Sequence, residues 1–106
     1  MKIALAQLNF TVNHFEHNKS IAIDAINKAK DQGAELIVFP ELSVCGYPPH
    51  DLLDRKEFIE NCLAAVNVIA KSCVGIAAVV GGPSYNEKPS GKMLYNSAFF
   101  LKDGKI

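Results

Sequence analysis

The first informative feature of this sequence is what it lacks. Its 106 residues contain no low-complexity tract and no long hydrophobic run. The apolar stretch near the start, residues 2–8, is too short for the core of a signal peptide and far too short to span a membrane. We therefore expect a cytoplasmic protein with no membrane partner.

An excess of charge is also missing, because 11 basic residues balance 11 acidic ones. Nothing supplies the positive potential that would draw the chain onto a nucleic-acid backbone or an anionic leaflet. We therefore expect no nucleic-acid partner. With 49% apolar and 21% charged residues, the composition is typical of a globular protein, and the length allows at most one domain.

Cysteine is scarce and shows no pairing pattern. Cys45, Cys62 and Cys73 are odd in number and form no close CxxC pair, which favours reduced thiols over a disulfide framework. Cys45 lies four residues after Glu41 and is a tempting nucleophile. A free cysteine is, however, more often a small buried hydrophobe. We predict that all three cysteines are structural.

Signatures of metal and phosphate sites are absent too. His14 and His17 are three residues apart, and no third ligand follows at a recognisable zinc spacing. The pair Gly91-Lys92 lacks the earlier glycine and the following hydroxyl residue of a P-loop, so we interpret it as a loop turn. We predict no metal site and no cofactor in this segment.

Hydrophobic periodicity predicts an α/β layer in which helices pack on a sheet. Strands are predicted at residues 2–8, 36–39, 75–81 and 94–101. The first two should be buried, the first of them on both faces of the sheet. A first helix is expected between Asn13, which with Glu16 forms a variant capping box, and the stop signal Gly33. An apolar stripe predicts a second helix from about Asp54 to Ser72.

Two connections are also predicted from turn residues. A polar loop through Pro83, Pro89 and Gly91 should separate the third and fourth strands. Asp103-Gly104 is a strong signal for a two-residue hairpin turn. The fourth strand should therefore begin to pair with residues that follow the turn.

Glu41 lies at a position where α/β folds commonly place catalytic groups. It lies two residues past the second predicted strand, and reactive groups in open α/β folds gather beyond the carboxyl ends of strands. Pro40 ends the strand and restricts the backbone. A carboxylate partly shielded by apolar neighbours there could act as a general base. Position alone favours a solvated loop acid, because most acidic side chains in loops are solvated.

The residues around Glu41 resemble the nitrilase, or carbon–nitrogen hydrolase, superfamily. The resemblance rests on Val38-Phe39-Pro40-Glu41-Leu42, which ends the second strand. The continuation through Gly46-Tyr47-Pro48-Pro49 and Asp51-Leu52-Leu53 is similar to the NAD⁺ synthetase branch of that superfamily. Further matches, from residues 3–9 to residues 103–106, extend the resemblance over nearly the whole chain.

The resemblance implies a four-layer αββα sandwich with a Glu-Lys-Cys triad, of which Glu41 is the general base. In that branch a cysteine thiolate attacks the side-chain amide of glutamine, and ammonia passes to a second domain. There, ATP and Mg²⁺ drive the amidation of deamido-NAD⁺. The triad's lysine and cysteine would follow Ile106. Tyr47 is a candidate for contacting the substrate, with half-buried packing as the alternative.

We accordingly expect residues 1–106 to be the N-terminal part of a glutamine amidohydrolase domain, inactive by itself, within an intact homo-oligomeric protein. Two alternatives stay open. One is another amidase or nitrilase of the superfamily, which residues 46–53 argue against. The other is a non-catalytic α/β interaction module, if the 106 residues are the complete product.

Overall fold

The computed structural model describes residues 1–88, 91 and 93–106. In chain order, its elements are β1 (Ile3–Leu5), α1 (Phe15–Asp31), β2 (Leu36–Val38), a 3₁₀ helix (His50–Asp54), α2 (Lys56–Ala70), β3 (Ala77–Tyr85) and β4 (Leu94–Leu101). The strands form one sheet in the order β1-β2-β3-β4. The first three are parallel, and β4 is antiparallel to β3. The predicted α/β class and element order are confirmed.

The hydrophobic core lies between one face of the sheet and the two helices. On this inner face, Ala78 and Leu101 are opposite each other, and both are fully buried. They meet Ile26 from α1 and Val66 from α2 in a single apolar cluster. The predicted helical stripes are therefore the surfaces that α1 and α2 bury.

The opposite, outer face of the sheet is apolar but uncovered. The strand register places Leu5 beside Val38, Val38 beside Val79, and Val79 beside Phe100. Leu5 is 72% exposed and Phe100 is 54% exposed. The prediction that β1 is buried on both faces is wrong for this chain, because both helices pack on the inner face. The strand is also shorter than predicted.

The start of α1 differs from the predicted capping box. Asn13 has a left-handed backbone with φ of 63°, and its N–H donates to the Cys45 carbonyl at 3.0 Å. His14 takes the N-cap position without a side-chain hydrogen bond. Asn13 therefore anchors a distant turn instead of capping the helix. The predicted stop is confirmed, because Gly33 follows the helix with φ of 82°.

The helical stripe predicted from residue 54 begins later as an α-helix. Residues 50–54 form a 3₁₀ helix, and Arg55 has an extended backbone with φ of −97° and ψ of 120°. The regular helix α2 then starts at Lys56. The apolar stripe alone did not distinguish the short 3₁₀ helix from the α-helix that follows it.

Strand β3 runs through Pro83, which the sequence assigned to a loop. The Gly81 N–H and C=O both bond to residues on the side away from β4. Two residues further on, the Pro83 nitrogen faces the same way, so proline removes no bond from the β3–β4 ladder. The loop prediction for Pro83 is therefore wrong. Pro89 and Lys92, which carried other loop interpretations, lie outside the described residues.

The predicted fourth strand and its turn are confirmed. β4 covers Leu94–Leu101, and the Lys102 N–H donates to the Lys105 carbonyl at 2.9 Å. Asp103 and Gly104 both have positive φ, 55° and 77°. That combination is typical of a type I′ turn, which the Asp-Gly pair favours.

Candidate functional site

Glu41 leaves the sheet directly after β2. The last contact with the ladder is the Phe39 N–H, which donates to the Val79 carbonyl at 2.9 Å. Pro40 and Glu41 then turn away, and the Glu41 Oε1 accepts a hydrogen bond from Asn96 Nδ2 at 2.9 Å. Glu41 therefore lies past the carboxyl end of β2, as predicted. Its side chain is exposed, so the predicted partial shielding by apolar neighbours is not found in this chain.

The loop that carries Glu41 is attached to β3 at one residue. The Val44 N–H donates to the Gly81 carbonyl at 3.1 Å, and the Gly81 N–H donates to Ser43 Oγ at 3.1 Å. Ser43 is 2% exposed, so this hydroxyl satisfies a buried donor. The absence of a side chain at Gly81 lets the loop backbone lie directly on the strand.

A buried asparagine holds the same loop from the helix side. Asn18 Oδ1 accepts from the Thr11 N–H at 2.8 Å, and its Nδ2 donates to the Thr11 carbonyl at 2.8 Å and to the Val44 carbonyl at 3.2 Å. Sequence reasoning missed this residue. Its signal was a polar side chain in register with Ala22 and Ile26 on the buried stripe of α1.

Glu41 and Tyr47 border the same cavity, which has a volume of about 240 Å³. The other lining residues are Leu8, Asn9, Phe10, Pro40, Leu42 and Ser43. Tyr47 is 64% exposed, so its ring is not a half-buried packing element. The structure thus brings together the two site residues that the sequence singled out.

The cysteines are not placed to act as nucleophiles. Cys45 is fully buried, and its thiol donates weakly to the carbonyls of Leu42 and Gly46 at 3.6 and 3.5 Å. A hydrogen bond with Cys62 lowers the pKa of Cys45 against the effect of burial, and the same bond, with burial, raises the pKa of Cys62. Burial also raises the pKa of Cys73. All three thiols are buried, as predicted for structural cysteines.

The described residues provide neither a metal site nor a membrane-spanning helix. Within residues 1–88, 91 and 93–106, no three histidine, cysteine or acidic side chains are grouped to hold a metal ion. His14 and His17 are both exposed at the start of α1. No helix in this described part of the chain is long and apolar enough to cross a bilayer.

The chain is similar in sequence to carbon–nitrogen hydrolases. The carbon–nitrogen hydrolase family model matches residues 2–106. The chain is 41% identical over 107 residues to a glutamine-dependent NAD(+) synthetase of Xylella fastidiosa, covering 100% of this chain and 19% of that protein. Identity to the synthetase of Thermotoga maritima is 37% over 108 residues, covering 100% and 18%. The chain therefore spans less than a fifth of these relatives and matches their N-terminal region.

Solved structures agree with this placement. A glutamine-dependent NAD(+) synthetase from Cytophaga hutchinsonii matches with a TM-score of 0.89 and 29% identity, over 97% of this chain and 17% of that one. A Nesterenkonia amidase from the nitrilase superfamily matches with a TM-score of 0.77 and 30% identity, over 99% and 40%. The fold is that of the nitrilase superfamily, and the chain belongs to the carbon–nitrogen hydrolase family.

Proposed function

We propose that this chain is the N-terminal part of a glutamine-hydrolysing domain in which Glu41 is the general base. The domain supplies ammonia for the amidation of deamido-NAD⁺ to NAD⁺, at a second domain that uses ATP and Mg²⁺. The observation that carries the proposal is the Glu41 carboxylate, which borders a cavity just beyond a parallel strand. The similarity to synthetases over the full chain supports the choice of glutamine.

The proposed role of Glu41 is to take the proton of a cysteine thiol. The resulting thiolate attacks the glutamine side-chain amide, and Glu41 passes the proton to the leaving nitrogen, so that ammonia departs and a thioester forms. Water then hydrolyses the thioester to glutamate and the free thiol. We infer that this thiol belongs to another segment of the intact protein, because Cys45, Cys62 and Cys73 are all buried. The oxyanion-binding lysine is assigned to another segment as well. The 106-residue chain by itself is then inactive.

Tyr47 is proposed to contact the substrate. Its ring is largely exposed beside the cavity that Glu41 borders. A phenol can pack its ring against the aliphatic part of glutamine and still offer a hydroxyl for hydrogen bonding. Removing the side chain should therefore raise KM for glutamine more than it lowers kcat.

Another amidase of the superfamily is the second candidate. The observation in its favour is the likeness to the Nesterenkonia amidase. One solved form of that amidase carries a glutamate-to-glutamine substitution and shows acrylamide added to its active-site cysteine. A non-catalytic interaction module is the third candidate, and it requires no amide hydrolysis at all.

Ammonia release separates these candidates. The test uses the intact protein, meaning the polypeptide that contains this chain together with the rest of its hydrolase domain. It is incubated with glutamine, acrylamide or propionamide in turn. The proposal predicts a kcat/KM for glutamine at least about 100-fold above that for acrylamide or propionamide. These simple amides lack the α-amino and α-carboxylate groups of glutamine, so they cannot make the binding contacts that those groups make. Preference for a simple amide would favour the second candidate. No ammonia from any amide would favour the third.

A further inference from the structure

The Glu41 carboxylate has a partner that comes from a distant part of the sequence. Asn96 lies on β4, opposite Pro83 of β3, and its Nδ2 is 2.9 Å from Glu41 Oε1. The loop after β2 crosses β3 at Gly81 to reach this position. The bond therefore joins the β2 loop to the β3–β4 hairpin across the sheet.

The chemistry of the pair leaves one carboxylate oxygen free. A carboxylate accepts hydrogen bonds only, so the amide must present its N–H₂ group to it. Oε1 is occupied by that bond, and Oε2 accepts no hydrogen bond from any described residue. One oxygen is thus held while the other can receive a proton.

The hydrogen-bond donor to Glu41 is the uncharged amide of Asn96, which suits a carboxylate that acts as a base. The ion pairs in the described part of the chain join Lys19 to Glu16 and Lys56 to Glu60, and neither includes Glu41. A cation in the place of Asn96 would stabilise the charged carboxylate strongly and weaken it as a base. An amide orients the carboxylate without placing a charge beside it.

Both partners have backbones that are fixed independently of this bond. Asn96 belongs to an eight-residue strand paired along its whole length with β3. The Glu41 loop is held by Gly81 and by Asn18, through bonds that do not involve Asn96. Because both backbones are already fixed, forming the Asn96–Glu41 hydrogen bond orders little more than the two side chains. The bond can therefore hold the carboxylate in one orientation.

We propose that Asn96 is the positioning residue of the general base: its amide N–H holds Glu41 Oε1 and leaves Oε2 to take the thiol proton. This inference rests on the proposed function. Asn96 contacts neither the substrate nor the reacting atoms in this assignment. It acts through Glu41 alone.

The test uses the intact protein and three variants. Asn96→Ala removes the donor. Asn96→Asp keeps the shape of the side chain and replaces the donor by a second carboxylate. Tyr95→Phe, a change at the adjacent β4 residue, is the matched control. Glutamine hydrolysis is measured as kcat and KM between about pH 6 and about pH 8, and NAD⁺ synthesis from added ammonia reports intact folding.

The proposal predicts a roughly tenfold loss of kcat in Asn96→Ala, the lower end of the range for a lost hydrogen bond to a charged group, because both side chains are exposed in this chain. KM should change much less. Asn96→Asp should lose at least as much at the upper end of the pH range. Its activity relative to wild type should recover at the lower end, because a protonated carboxyl can again donate. Tyr47 and Tyr95 are the other titratable side chains that line the cavities beside the pair, and both are unchanged in the two Asn96 variants.

Near wild-type kcat in Asn96→Ala would overturn the inference. So would an Asn96→Asp variant that is active without a change in pH profile, because shape alone would then suffice. Loss of ammonia-dependent synthesis together with glutamine hydrolysis in Asn96→Ala would mark a purely structural role and also overturn it. If wild type does not hydrolyse glutamine, or Glu41→Gln hydrolyses it normally, the proposed function itself fails.

Discussion

Gly81 and Leu42 approach so closely that a β-carbon on Gly81 would lie 2.5 Å from the Leu42 nitrogen. The same atom would lie 2.8 Å from the Pro40 carbonyl oxygen. Both neighbours are backbone atoms of the loop that carries Glu41, so they cannot rotate away as a side chain could. The close contact at Gly81 therefore determines how near the loop that carries the proposed general base lies to the sheet.

Gly81→Ala should destabilise the intact protein by about 1–3 kcal/mol, the usual cost of overpacking, and should also impair glutamine hydrolysis by displacing Glu41. Gly82→Ala is the matched control. A β-carbon there meets side-chain atoms instead, 2.9 Å from Val44 Cγ2 and 3.3 Å from the Phe99 ring, which can partly yield. Chemical denaturation and glutamine turnover would be compared for both variants. Equal effects at the two glycines would contradict this view of the loop.

Asn18 should contribute strongly to stability through its buried hydrogen bonds. Asn18→Asp keeps the shape but places a carboxylate against the carbonyls of Thr11 and Val44, which now lack a donor. We expect a loss of about 2–4 kcal/mol in the free energy of unfolding. Asn67→Asp is the control, because that exposed amide bonds to the Leu63 carbonyl of its own helix. A similar loss in both variants would show that Asn18 has no special role.

The cysteine thiols should be unreactive until the chain unfolds. Cys45, Cys62 and Cys73 are fully buried, so a thiol reagent at neutral pH should label none of them in the native protein and all three in denaturant. Burial raises the pKa of Cys73 from the ordinary 9.0. Its unfolded thiol therefore ionises at a lower pH than the folded one, and the contribution of Cys73 to stability should fall as pH rises above about 9. Rapid native labelling of Cys45 would contradict its structural assignment.

The outer face of the sheet should make the 106-residue chain associate when it is alone in solution. Leu5 and Phe100 are exposed on one continuous apolar surface, and such surfaces promote association. The double substitution Leu5→Lys with Phe100→Lys should shift sedimentation towards the monomer. Val74→Lys changes a residue that is 60% exposed outside the sheet and should have little effect. A wild-type chain that sediments as a monomer would refute the prediction.

Sequence patterns predicted the parts of the fold that local chemistry determines. The Asp103-Gly104 turn, the Gly33 stop and the full extent of β4 depend on backbone preferences and on neighbouring residues. Patterns failed where a distant segment decided the outcome. Asn13 is used to anchor Cys45 instead of capping α1, and Pro83 fits within β3 because its nitrogen faces away from β4.

The residues of the candidate site fall into the same two groups, those predictable from local sequence and those that depend on a distant segment. Glu41 could be predicted from its place after a strand and from the motif around it. Its partner Asn96 is 55 residues away, and only the pairing of β3 with β4 brings the two together. Asn18 likewise shows its role only when its helix meets the loop.

The most direct test of the central claim is the Glu41→Gln substitution in the intact protein. The amide keeps the shape of the side chain but cannot accept the thiol proton. NAD⁺ formation from deamido-NAD⁺ and ATP is measured for wild type and variant, once with glutamine and once with ammonium chloride. We predict a loss of at least ~10²-fold with glutamine, as expected when a general base is removed, and an unchanged rate with ammonium chloride. Equal loss of both activities, or loss of neither, would contradict the assignment of Glu41 as the general base.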